Sequence, residues 1–311
     1  MDSFEEISSD LHSLADFVRW GASEFARAQL TFGHGTDNAV DEALNLVLHG
    51  LGLDHDCPEW ILNARLTAGE KRTVYELLRT RVVTRKPYAY ITHRARFAGL
   101  DFYVDERVLV PRSPLAELIE RGFEPWVSPE RVTRVLDLCT GSGCIAVACA
   151  EAFPAAQVDA ADISGEALEV ARINVERYQL AKRVRLLRAD VFEGLGQARY
   201  DIVVSNPPYV DAEDMGTLPD EHRHEPALGL AGGSDGLAVV RRILAGAADH
   251  LASGGILVVE VGNSRRALER DFPEVPFVWL EFERSQAEVF LLNATQVHAL
   301  RSPAQEVRHV G

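Results

Sequence analysis

Asn206-Pro207-Pro208-Tyr209 follows an apolar run, Tyr200-Asp201-Ile202-Val203-Val204-Ser205, that reads as a buried strand. The two prolines stop the strand and remove two N–H donors, so the carbonyls of the turn face outward with fixed geometry. An asparagine beside such carbonyls offers several acceptors and an NH₂ donor in a small space. That arrangement suits a planar amide or amino group carrying two hydrogens. Some sixty residues upstream, Asp137-Leu138-Cys139-Thr140-Gly141-Ser142-Gly143 follows another apolar strand and opens a helix. Gly141 and Gly143 allow a tight turn with close backbone approach to a ligand. Ala146 stands where a dinucleotide fingerprint allows Gly or Ala, so the glycine pattern alone leaves a dinucleotide open. Asp137 makes the better distinction, because an acid there repels a pyrophosphate and favours an ammonium. Asp162 ends the next strand, where a carboxylate can accept two ribose hydroxyls, with Ile163 following it. Asp190 and Val191 follow the third strand, and Asp190 is placed to accept from an adenine amino group. Three acids at successive strand ends suit a ligand bound outside the carboxyl edge of a sheet.

The elements that must position these residues alternate from about residue 132. Strands are expected at 135–138, 158–162, 184–187, 202–205, 255–261, 277–282 and 288–292, and helices at 143–152, 165–179, 236–251 and 264–271. Near-continuous apolar strands separated by helices predict an α/β fold with a seven-stranded, mostly parallel sheet covered on both faces. Upstream, Phe4, Ile7, Leu11, Leu14 and Val18 step by three and four, which predicts one amphipathic helix over 3–29. Gly33-His34-Gly35 breaks it. Thr36 or Asp37 can cap a second helix ending at Gly50, and Thr67-Ala68-Gly69-Glu70 has the form of a capping box that opens a third. Residues 1–92 therefore read as a small helical domain, 93–114 as a β-hairpin linker of period-two pattern, and 115–311 as the α/β domain. His34 reads as a turn or docking residue, and the last ten or so residues as a polar, frayed end.

Asn-Pro-Pro-Tyr after a buried strand resembles the signature of enzymes that methylate an amide or exocyclic amino nitrogen using S-adenosyl-L-methionine (SAM). The flanking stretches Gly33–Asn38, Val108–Pro114, Asp137–Gly143 and Arg223–Pro226 through Gly236 resemble the protein-glutamine N5-methyltransferase family, and within it the branch acting on large-subunit ribosomal protein three. Gly33–Asn38 and Pro111-Arg112-Ser113-Pro114 carry the distinction; at the second stretch the wider family commonly has Pro-Arg-Pro followed by acids. The resemblance implies a Rossmann-like methyltransferase domain, an N-terminal substrate-recognition domain and a hairpin bordering the active site. It implies that Asp137, Thr140, Gly141, Ser142, Gly143, Asp162, Ile163, Asp190, Val191 and Asn206 hold SAM, with Asp137 beside the ammonium of the methionine moiety. Asn206, Pro207, Pro208 and Tyr209 would hold the glutamine, and Asn206, Pro207 and Tyr209 would carry the chemistry. His224 and Glu225 could line the pocket.

Composition bounds the partners. A chain of 311 residues, 47% hydrophobic, can build a large core. No apolar run of about 18 residues is present, and the acidic start lacks the layout of a signal peptide. The four cysteines show no CxxC pair, so they read as reduced residues of a cytoplasmic protein, with no metal site. A net charge of −15 argues against tight non-specific nucleic-acid binding and fits a basic protein partner, here a ribosomal protein met before assembly. Residues 1–60 hold twelve acids against two bases, and residues 61–96 two acids against nine bases. The alternatives are glutamine methylation of peptide chain release factors, adenine-N6 methylation of nucleic acid, which needs a basic recognition region and base flipping, and a SAM-binding assembly factor that does not catalyse.

Overall fold

A computed structural model describes residues 3–283 and 285–300; the expected frayed end, 301–311, lies outside them. The chain divides into two compact units. One comprises the chain up to Ala95 together with Val104–Glu106 and Pro219–Glu225; the other comprises the rest.

The first unit is helical: α1 (Phe4–Asp10), α2 (Leu14–Arg27), α3 (Ala39–Gly50), α4 (Ala68–Thr84) and α5 (Tyr88–Thr92). The expected single helix over 3–29 is two. Leu11 leaves the helical region at φ −92°, ψ 131°, and Ser13 starts α2 with a capping box in which its side chain and that of Asp16 satisfy each other's backbone N–H. A local cap competes with continued helix at that point, and it wins over an apolar period that runs through both pieces. Asn38, rather than Thr36 or Asp37, caps α3, its side chain accepting from Val40 and Asp41. The capping box Thr67/Glu70 is present at α4. Phe17, Phe25, Leu46, Val47, Val74 and Leu78 form the core of this unit.

In the second unit, β1 (Ala95–Phe97) and β2 (Leu100–Phe102) pair as a short hairpin, and α6 (Leu115–Glu120) precedes the sheet. The alternation then runs β3 (Arg134–Leu138), α7 (Cys144–Ala152), β4 (Gln157–Asp162), α8 (Gly165–Arg177), β5 (Val184–Arg188) and β6 (Tyr200–Ser205). It continues through α9 (Ala212–Thr217), α10 (Ala227–Leu230), α11 (Ala238–His250), β7 (Leu251–Gly262), α12 (Arg265–Asp271), β8 (Val278–Leu280), β9 (Glu288–Asn293) and α13 (Ala294–Ala299).

The sheet order is β5-β4-β3-β6-β7-β9-β8, parallel except for β9, which runs antiparallel to both neighbours. Successive residues of each central strand serve opposite cores. Val135, Ile202 and Val204 pack with α6 and α7 residues such as Leu118 and Val147, whereas Leu136 and Val203 pack with α11 residues such as Val240 and Ile243. Burial on both faces explains why these strands read as near-continuous apolar runs. The chain winds from β3 outward to β5 and then returns to place β6 on the other side of β3. The carboxyl ends of β3 and β6 thus meet at the point where the winding reverses, the place where sheets of this kind bind ligands.

Candidate active site

A cleft opens at that reversal. Its walls come from the residues just past four strand ends: Cys139, Thr140, Gly141 and Ser142 after β3; Asp162, Ile163 and Ser164 at β4; Ala189 and Val191 after β5; Asn206 and Pro208 after β6. Arg107–Ser113, together with Pro226, Leu228 and Gly229, complete it.

The β3 loop is built around two carboxylates. Asp137 is fully buried; one of its oxygens accepts from the Thr140 hydroxyl and from Ala146 N–H at 3.1 Å, while the other has no hydrogen-bond partner. Burial pushes this carboxyl up to about 7. Asp162 accepts Gly141 N–H and Ser164 N–H, each at 2.9 Å and each on a different oxygen, and burial raises it too. One N–H per oxygen leaves lone pairs on both for a ligand's hydroxyls. Beside it, Ile163 is 44% exposed, an apolar surface on the cleft wall. A Cβ built on Gly141 would meet nothing within 4 Å, so that side of the loop is open cradle.

Cys139 and Val191, both on the wall, have φ of +59° and +57°. That region is costly for any side chain and most so for a β-branched one, and such strain persists at sites that need a particular chain path.

Asn206 stands at the end of β6, which is tied to β3 by a hydrogen bond from the Ser205 hydroxyl to the Leu138 carbonyl at 2.8 Å. Two glycines hold the segment that follows. A Cβ on Gly236 would lie 2.3 Å from the Tyr209 carbonyl oxygen, and one on Gly262 2.4 Å from the Tyr209 ring, so both positions admit only hydrogen there. The Tyr209 hydroxyl donates to Glu260 at 3.1 Å, and Ser113 donates to the same carboxylate. Glu260 is buried and pushed up to about 7 by that burial. Ser113, from the Pro-Arg-Ser-Pro stretch, thereby joins the wall of the cleft to the tyrosine of the Asn-Pro-Pro-Tyr turn.

Of the residues singled out in the sequence, Thr140, Gly141, Ser142, Asp162, Ile163, Val191, Asn206 and Pro208 share this cleft wall. Asp137, Gly143, Asp190, Pro207 and Tyr209 are not among its lining residues, and the Asp190 carboxylate is engaged by Arg242 at 2.8 Å, which lowers its pKa. His224 and Glu225 belong to the helical unit; the His224 ring contacts the Thr84 carbonyl at 3.0 Å. Sequence reasoning missed Cys139 and Glu260. Glu260 left a trace: it is the lone acid in the apolar run Ile256–Val261.

A mostly parallel seven-stranded sheet with its cleft at the winding reversal is the architecture typical of SAM-dependent methyltransferases, and a family model described as "Methyltransferase small domain" matches residues 125–218. The chain is 49% identical over 290 residues to the ribosomal protein uL3 glutamine methyltransferase of Bordetella pertussis, covering 93% of this chain and 97% of that one. It is also 49% identical to its counterpart in Neisseria gonorrhoeae, covering 94% and 98%. It belongs to the family of ribosomal protein uL3 glutamine methyltransferases. Among solved structures, a methyltransferase from Pyrococcus furiosus is similar over 71% of this chain and 95% of that one, at 21% identity and a TM-score of 0.45.

The cleft suits SAM on its own features: an open glycine cradle, a carboxylate with lone pairs to spare, an apolar Ile163 surface and a buried, orphaned oxygen on Asp137 just behind the loop.

Proposed function

We propose that this protein methylates the side-chain amide nitrogen of a glutamine in ribosomal protein uL3, using SAM held in the cleft at the β3/β6 reversal. The observation that carries the reading is the sharing of one cleft wall by Asn206 and the Asp162/Gly141 pair. Bound SAM supplies a methyl group on a positively charged sulfur. Asp162 would accept the ribose hydroxyls, Ile163 and Val191 would flank the adenine, and Asp190, held by Arg242, would serve its amino group. Thr140, Gly141, Ser142 and Gly143 form the loop that Asp137 braces.

An amide nitrogen is a poor nucleophile, because its lone pair is delocalised into the carbonyl. The Asn206 side-chain oxygen and the Pro207 carbonyl accept its two N–H bonds and aim the nitrogen, while the Asn206 NH₂ donates to the substrate carbonyl. Tyr209 packs on the amide plane, held by Glu260. The SAM sulfonium would supply the methyl group to the nitrogen aimed by Asn206 and Pro207, and the nitrogen would release its extra proton to water. Positioning supplies most of the acceleration, with no covalent intermediate on the protein.

Residues 1–92 receive the substrate protein, residues 93–114 link the two domains, and the reaction precedes assembly of the large subunit in the cytoplasm. The acidic charge supports this order: it attracts a basic ribosomal protein and is repelled by ribosomal RNA. The test is transfer of labelled methyl from SAM to purified uL3. Incorporation is expected with the wild-type enzyme and is lost with Asn206→Ala. No incorporation into uL3 by a folded, SAM-binding enzyme would overturn the reading.

A further inference from the structure

The helical unit holds a cluster of donor groups that methyl transfer leaves unused. His34 sits in a turn closed by the Gly33 N–H to Thr36 carbonyl bond at 2.7 Å. His34 is 1% exposed, and neither of its ring nitrogens makes a hydrogen bond. The His222 ring lies 4.4 Å away, centroid to centroid, tilted by 56°. The buried Glu225 carboxylate comes within 3.4 Å of His34 Nε2. One donor atom from each of the three residues lies within 4.8 Å of the others.

Buried polar atoms in folded proteins almost always have partners, and an imidazole whose two nitrogens make no hydrogen bond is an exception that a bound water or ion relieves. The surroundings hold the cluster in place. Thr36, two residues after His34, donates to Glu42 at 2.9 Å, and Glu42 pairs with the fully buried Arg81. Glu221, next to His222, accepts Thr31 N–H at 3.0 Å and pairs with Arg85 at 2.8 Å. Both stretches of chain that carry the donors are thus pinned independently of any ion.

We propose that His34, His222 and Glu225 bind one divalent transition-metal ion of the zinc class. Two imidazole nitrogens and one carboxylate oxygen form a borderline donor set that suits zinc, whereas magnesium and calcium take oxygen ligands. Bond lengths of about 2.0–2.2 Å draw the three donors together by small side-chain rotations, and the fourth tetrahedral position is left for water. The ion would tie residues 219–225, an excursion from the sequence of the methyltransferase unit, to the turn at residues 33–36 within the helical unit.

The experiment uses the full chain without a histidine tag, stripped with a chelator, dialysed against zinc and then against metal-free buffer. Elemental analysis is expected to find about one zinc per chain, and cobalt(II) is expected to give the intense visible absorption of a four-coordinate site. Zinc is expected to raise the apparent melting temperature of the stripped protein in a concentration-dependent way. His34→Gln and Glu225→Gln are each expected to lower zinc affinity at least tenfold, whereas His55→Gln, at an exposed histidine outside the cluster, and Cys57→Ser leave it unchanged. Stripped wild-type protein that takes up well under 0.2 zinc per chain at micromolar free zinc overturns the proposal, as does uptake that survives His34→Gln. If the variants do not fold, the wild-type stoichiometry and the cobalt spectrum decide the matter: a spectrum with thiolate-to-metal charge transfer would place the ion on cysteine and also overturn it.

Discussion

At the level of single residues, the proposed reaction divides labour along the sheet edge: Asp162 would serve the cofactor and Asn206 the amide, although they share a wall. Asn206→Ala is therefore expected to leave SAM affinity, read by calorimetry, within a few-fold of wild type while turnover falls by about 10²–10³. Asn206→Asp keeps the shape and an acceptor but loses the NH₂ donor, and it is expected to be similarly impaired. Near-normal turnover of a folded Asn206→Asp enzyme contradicts the amide clamp. Glu260 supplies a pH test. Its carboxyl titrates at about 7 in the folded protein against an ordinary value of 4.5. Between those values the folded state keeps a proton that the unfolded chain has released, so this group makes stability fall as pH rises through that window. The penalty is absent below the lower value and complete above the upper one. Glu260→Gln has no such proton, so its stability relative to wild type should improve by about 3 kcal/mol between pH 4.5 and pH 8, measured by urea unfolding at each pH. A difference that does not change with pH contradicts the buried-acid assignment. Asn206 and Asp162 were legible in the sequence because strand ends followed by Pro-Pro or by a cap announce themselves. Glu260 was not, because its partners Ser113 and Tyr209 are far from it in the chain.

At the level of elements, strand identities were readable because β3, β4, β6 and β7 are buried on both faces, which leaves near-continuous apolar runs. Helix boundaries were less so. The period-3.6 pattern through Phe4 to Val18 concealed a break that only the pair Ser13 and Asp16 encodes, three residues apart in a capping box. Ser13→Ala is expected to lower stability by about 1 kcal/mol, seen as a lower denaturation midpoint, with SAM affinity unchanged. An unaltered midpoint would mean that the apolar packing of α1 and α2, rather than the cap, sets the break. The left-handed backbone at Cys139 and Val191 had no sequence signal, since neither residue type favours it.

At the level of the whole molecule, the proposed order of methylation before assembly rests on the net charge of −15. Free uL3 is expected to be methylated faster than uL3 within assembled large subunits, and the rate on the free protein is expected to fall as salt screens the attraction. Equal rates on both forms contradict the proposed order. The clustering of His34, His222 and Glu225 was invisible in the sequence because the fold alone brings residues 219–225 to the turn at 33–36. The most direct test is to incubate the enzyme with methyl-labelled SAM and uL3, with a peptide chain release factor in parallel, and to map the label by mass spectrometry. The account predicts one added methyl on a glutamine side-chain nitrogen of uL3 and none on the release factor. A label on any other residue type, or on the release factor in preference to uL3, would contradict it.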